Sequence, residues 1–304
     1  MMVLHNIGAH QYNFGLSLSL RLYRTFIRPI LEYGLAIISP TPTHYQMLEN
    51  AQKRCIRLTL NVTNPSATTL TIVSLHLANL PSIKLRARVL LFKFIFRTFH
   101  IPPTTLLACI VTSLLRRHHP PQEWINMRNN NLWKDWKKVT SQLPLPKDPF
   151  QHIINSHHQI ELESRRSQFS TVAHALPERK WDPILFLPTT TLSRHRLVKW
   201  RMHWLSSFPL KDCRCGTREA NHRHYANDCQ LLAPMIDQLK SNFPGSIDEN
   251  QHIIDAILNH LPNSPSSLKR GHWHKTWPLL LHTLRDIDIC SHPDATFDPE
   301  LDPR

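Results

Sequence analysis

The chain has 304 residues, 6 glycines against 24 prolines, 41% hydrophobic and 19% charged residues, and a formal charge of +14. That apolar content excludes wholesale disorder, and so little glycine argues against parallel α/β folds, whose tight turns need it. What remains is a mainly α protein, its helices separated by proline-rich connections, with room for two ordinary domains or one with appendages.

In chain order, Leu18, Leu22, Phe26 and Ile30 recur at helical spacing and predict a helix over Ser17–Ile38, kinked at Pro29. A second is predicted over Thr43–Leu60, capped by Thr43, with Leu48, Ala51, Cys55 and Leu58 as its apolar stripe. Lys53, Arg54 and Arg57 lie mostly off that stripe, on the side open to a partner. Asn61–Ser66 reads as a turn and Ala67–Leu77 as a short helix. Pro81 opens a long helix through Phe99, in which basic and apolar residues interleave, and Pro102-Pro103 breaks it. More helix follows over Thr104–Thr140, ending in the aromatic group Trp124, Trp133 and Trp136. Leu143–Leu187 is rich in proline and histidine and reads as a connector. Over Ser193–Leu205 a helix mingles Leu197, Trp200, Met202 and Trp204 with Arg194, Arg196, Lys199 and Arg201. Trp200 and Trp204, four apart, fit a core stripe better than a base-stacking platform. Helices over Ile247–Leu261 and Trp277–Ile289 precede a loose tail rich in proline and aspartate. The resulting organisation is 1–62 and 63–140 as two basic helical regions, 141–192 as connector, 193–232 as basic helix and cysteine loop, and 233–304 as C-terminal helices and tail.

Charge is unevenly spread. Residues 1–122 hold thirteen Lys and Arg against only Glu32 and Glu49, and no acid occurs between Glu49 and Glu123. A solvated face normally mixes both signs, so a long acid-free stretch points to a polyanionic partner. The N-terminus, MMVLHNIGAH, lacks the basic and apolar segments of a secretory signal, and no apolar window is long enough to span a bilayer.

Of six cysteines, three crowd into CRCGTREANHRHYANDC, giving Cys213, Cys215, His224 and Cys229 in the order C-x-C-x8-H-x4-C. Soft thiolates and an imidazole within seventeen residues suit one structural Zn2+, and a small loop without its own core can draw folding free energy from the ion. Gly216 permits the tight turn between the first two sulfurs. His222 competes with His224, which has the better spacing. Four protein ligands leave no position for water, so such a site is structural rather than catalytic. The scattered Cys55, Cys109 and Cys290 do not form a disulfide framework, which places the chain in a reducing compartment, nucleus or cytoplasm, and not among secreted proteins.

Four islands, in order and spacing, carry a resemblance. LYRTFIRPILEYGLAIISP (Leu22–Pro40), LENAQKRCIRLTL (Leu48–Leu60), SLHLANLPSIKLRARVLLFKF (Ser74–Phe94), and SRHRLVKWRMHWLSSFPLKDCRCG (Ser193–Gly216) leading to HYANDC resemble the region C-terminal to the palm in non-long-terminal-repeat retrotransposon reverse transcriptases. The resemblance implies a helical, thumb-like surface along a template–primer duplex of RNA or DNA, one zinc knuckle, an upstream polymerase palm as partner, and no membrane. It implies phosphate contacts from Lys53, Arg54, Arg57, Arg86 and Arg88, and from Arg196, Lys199 and Arg201 beside the knuckle. The chain departs from the family where chemistry is concerned. Two-metal nucleotidyl transfer needs adjacent aspartates, and no Asp-Asp dipeptide occurs, so no polymerase activity and no catalytic residue carries over. Two other readings stay open: a remnant of a restriction-like endonuclease, with Asp294 as its one suggestive acid, and a helical interaction protein or unselected remnant whose apolar face around Leu22, Phe26 and Ile30 lacks its neighbour.

Overall fold

The computed structural model describes residues 2–6, 14–38, 40–60, 68–140, 148–205, 210–247 and 251–292. Among these residues the chain is mainly α and forms no strand. The turn expected at Asn61–Ser66 and the tail with Asp294 lie outside them.

The first helices are α1 (Met2–Asn6), α2 (Gly15–Leu22) and α3 (Arg28–Glu32), the last two joined by a π-turn over Tyr23–Ile27. This replaces the single kinked helix expected through Ile38. Pro29 has no N–H and crowds the carbonyl one turn earlier, so the ladder widens before it, and Gly34, at φ +79°, turns the chain away after Glu32. α4 spans Pro42–Leu60. Thr41, not Thr43, caps it, accepting the His44 N–H at 3.3 Å, because Pro42 fits the first helical position.

α5 (Thr68–Leu77) and α6 (Ile83–Thr98) come close to expectation, with Ser82 accepting the Leu85 N–H at 3.1 Å as the α6 cap. The broad helical stretch beyond the double proline resolves into α7 (Leu106–Arg116), α8 (Gln122–Arg128) and α9 (Asn131–Thr140). Then comes a correction: the segment read as a connector contains α10 (Pro149–Gln168), the longest helix among the described residues, and the short α11 (Ser170–Ala173). Asp148 caps α10, accepting the Gln151 N–H at 3.0 Å, and Pro149 opens it. α12 (Thr191–Arg201), α13 (Ala233–Asn242), α14 (Ile253–Asn259) and α15 (Trp273–Cys290) complete the order. α14 is shorter than the helix expected from Ile247, and α15 starts four residues earlier than expected, carrying an exposed Pro278.

One apolar core gathers Leu16, Leu20 and Tyr23 at the N-terminal end with Leu197, Trp200, Ile254, Leu280 and Ile287 from the C-terminal helices. α15 packs against α12 and α13, and α4 against α2, α5 and α6. Trp200 is fully buried there, as its helical spacing with the core predicts. A second core joins α6, α9 and α10 through Phe92, Trp133, Ile153 and Ile154. Phe92 stacks on Phe150 at 4.7 Å, and Trp136 meets Phe96 edge-on at 5.2 Å. Burying Ile153 and Ile154 stabilises by about 1.5–3 kcal/mol each, which is what holds α10 in place. By contrast Phe26 (58% exposed) and Ile30 (71%) stand out from the α2–α3 segment as an uncovered apolar ridge.

Candidate metal centre

The cysteine loop is built by short-range backbone bonds. The Ala220 N–H donates to Lys211 O and the Cys213 N–H to Thr217 O, at 2.9 and 2.8 Å, drawing the two arms of the loop together. At its tip the Gly216 N–H returns to Cys213 O at 2.9 Å, with Gly216 at φ +95°, a conformation that a side chain resists. The turn puts Cys213 and Cys215 on one end. Asn221 Oδ1 then accepts the His224 N–H at 2.9 Å and starts a π-turn over His224–Asp228. That turn closes with the Cys229 N–H on His224 O at 2.9 Å. The wider π-turn explains the H-x4-C spacing: it brings side chains five residues apart back to the same side. Cys229 O next accepts the N–H groups of Leu232 and Ala233, which leads directly into α13.

The donor atoms of Cys213, Cys215, His224 and Cys229 all lie within 4.8 Å of one another, an arrangement that can hold a metal ion. Cys213 Sγ and Cys229 Sγ are 3.7 Å apart, and Cys215 Sγ is 3.4 Å from His224 Nε2. His222 does not join them. Its ring lies on Trp200 and His203, with centroids 3.7 and 4.2 Å away, and its Nε2 is 3.8 Å from the buried Asp255. Asp255 in turn accepts the Trp200 indole N–H at 3.0 Å. Burial pushes the Cys213 thiol up to about 12 and raises Cys229. Burial raises Cys215 too, but hydrogen bonds from the Thr217 hydroxyl and backbone, joined by those from Cys213 and Cys229, outweigh it and lower that thiol.

The expected phosphate-contacting residues divide sharply. Arg54 and Arg88 are exposed, while Lys53, Arg57, Arg86 and Lys199 are partly covered. Arg86 donates twice to Glu32, at 2.8 and 2.9 Å. Arg196 (4% exposed) and Arg201 (2%) are corrections, because both are interior residues out of reach of a nucleic acid. Arg196 Nε meets Asp288 Oδ2 at 2.8 Å, and Arg201 Nε meets Asp182 Oδ2 at 3.1 Å. Arg201 also donates to Asn259 Oδ1 at 2.8 Å. Their acidic partners have no local sequence signature: Asp288 lies on α15, 92 residues from Arg196. Asp182 is conspicuous only as the residue before Pro183, where its Oδ1 accepts the Ile184 N–H at 3.1 Å.

No helix among the described residues is long and apolar enough to cross a membrane. No protein-family model, characterised protein or solved structure matches the chain.

Proposed function

We propose that this chain is a nucleic-acid-binding helical protein of the kind found between thumb and zinc knuckle in non-long-terminal-repeat reverse transcriptases, without polymerase chemistry of its own. One observation carries the reading. Both acids of residues 1–122 are spent inside the fold: Glu32 on Arg86 and Arg28, and Glu49 on the Ile83 N–H at the start of α6. Neither acid is therefore left over to balance the surplus cations of that region. Arg54, Lys84 and Arg88 are exposed and engaged in no salt bridge among the described residues. A surface of this kind attracts phosphates without regard to sequence and is weakened by salt. The ridge of Phe26, Ile30 and Tyr33 is the face on which an upstream palm would pack.

Zinc is the ion we assign to the cysteine loop, in a structural role. Tetrahedral zinc with bonds of about 2.3 Å to sulfur and 2.0–2.1 Å to nitrogen has S–S edges near ~3.8 Å and S–N edges near ~3.6 Å. The separations of 3.7 and 3.4 Å match two of those edges, and all four donors lie within 4.8 Å of one another. Three thiolates and an imidazole close the coordination shell, so the ion would brace the loop between α12 and α13.

Filter-binding of an RNA–DNA hybrid at low and high salt tests the reading. Expected is binding at low salt that falls steeply with added salt. Absence of affinity for hybrid, RNA or DNA at low salt overturns it, as does unaided copying of an RNA template by the purified protein.

A further inference from the structure

A cleft of about 460 Å³ opens between the α2–α3 segment, the start of α6, α10 and the loop before α12. Arg24, Arg28, Arg86 and Arg179 line it together with His158 and Asn155, and no acid does. Of the acids beside it, Glu32 is already divided between Arg86 at 2.8 Å and Arg28 Nε at 2.6 Å, and Glu161, which attracts Arg179, is bonded to Arg165 at 3.0 Å. Arg28 is 8% exposed, and its Nη2 meets no acceptor; His158 Nε2 is likewise buried without one.

The guanidinium groups are held in position. Asn79, in a left-handed turn at φ +48°, presents its carbonyl to both Arg24, at 2.7 Å, and Arg179, at 3.3 Å. Arg24 also donates to Ala78 O at 3.1 Å and lies over the Trp181 ring, 4.7 Å from its centroid. The fold thus fixes like charges side by side. Burial, followed by repulsion from Arg28 and Arg179, lowers Arg24 to about 10. Burial, followed by repulsion from Arg179, Arg86 and Arg28, lowers His158 to about 3. Such a cluster opposes folding unless a ligand anion offsets it.

We propose that this cleft binds a multiply charged phosphate group, such as a polyphosphate or the phosphorylated end of a nucleic acid strand. Guanidinium forks match phosphate oxygens two at a time, and the cleft exceeds the size of a single phosphate. The unpartnered Arg28 Nη2 and His158 Nε2 supply donors at its wall. The inference does not depend on duplex binding by the exposed cations of α4 and α6.

Calorimetric titration with inorganic tripolyphosphate tests it, comparing Arg179→Gln with Lys275→Gln, a matched charge change at an exposed residue of α15 outside the cleft. Expected is one site per chain, weakened roughly tenfold or more by Arg179→Gln and little by Lys275→Gln. Competition by 5′-phosphorylated and 5′-hydroxyl forms of one short oligonucleotide distinguishes the sources: a preference for the phosphorylated form assigns the site to strand ends, and equal competition assigns it to free polyphosphate. Absence of tripolyphosphate binding, or equal weakening by the two variants, overturns the proposal. Tripolyphosphate binding by a protein that ignores hybrid duplex would sustain this site while removing the duplex reading.

Discussion

Arg201 and Arg28 are both buried arginines, yet they keep opposite company. Arg201 closes on Asp182 and Asn259 within the C-terminal core, and its neighbour on α12, Arg196, closes on Asp288. Arg28 shares Glu32 with Arg86 and faces Arg24 and Arg179 across a cleft without acids. The C-terminal region balances its charge from its own chain, whereas the N-terminal region leaves a positive remainder. Basic composition alone therefore does not mark a binding surface; what marks it is whether the fold supplies the counter-charge.

The largest expected effect lies at the candidate metal centre, where an ion would balance the thiolates of the C-terminal region. Cys229→Ser should abolish one bound equivalent of zinc by metal analysis and cost at least several kcal/mol, given the ~10–16 kcal/mol that structural zinc supplies to small modules. An unchanged melt together with retained zinc would show that the four donors do not act as a site. Next is the closed pair. Asp182→Ala should destabilise by ~3–5 kcal/mol in urea, because it strands the Arg201 charge in the interior. Arg179→Gln, at the open cleft, should change stability by less than about 0.5 kcal/mol or raise it. Equal losses from the two substitutions would erase the distinction between the regions.

A smaller effect comes from pH. His76 donates from Nε2 to Leu176 O at 2.9 Å, and burial holds its imidazole down at about 4 from an ordinary 6.5. Between those values the unfolded chain binds a proton that the folded chain refuses, so stability falls as the pH is lowered through that window. At pH 5 the loss is about 2 kcal/mol. His76→Gln should remove that part of the acid sensitivity, read as the difference between wild type and variant at pH 7.5 and pH 5. The smallest of the expected losses is that of Gly216→Ala, with open space around the added methyl but φ at +95°, which should cost ~1–2 kcal/mol of loop stability and reduce zinc affinity accordingly.

The parts of this architecture that could be read in the sequence are those set by near neighbours. The donors of the metal centre sit within seventeen residues, so spacing alone singled them out, and the structure gathers the same four. α4, α6 and α12 announced themselves through periodic apolar residues. α10 did not, because its buried positions Ile153, Ile154 and Leu162 are sparse among polar residues; the Asp148-Pro149 pair that starts it was the one local signal. The fates of Arg196 and Arg201 depended on Asp288 and Asp182, which tertiary packing alone brings near. The arginine cleft was hidden for the same reason: its residues come from four separate stretches of the chain.

Trp181, beneath the Arg24 guanidinium, has a practical consequence. An indole ring next to a fixed cation fluoresces at a wavelength set by that charge, so an anion neutralising Arg24 should shift its emission. The difference spectrum between wild type and Trp181→Phe would then isolate one reporter among the eight tryptophans, an optical gauge of occupancy that needs no added label.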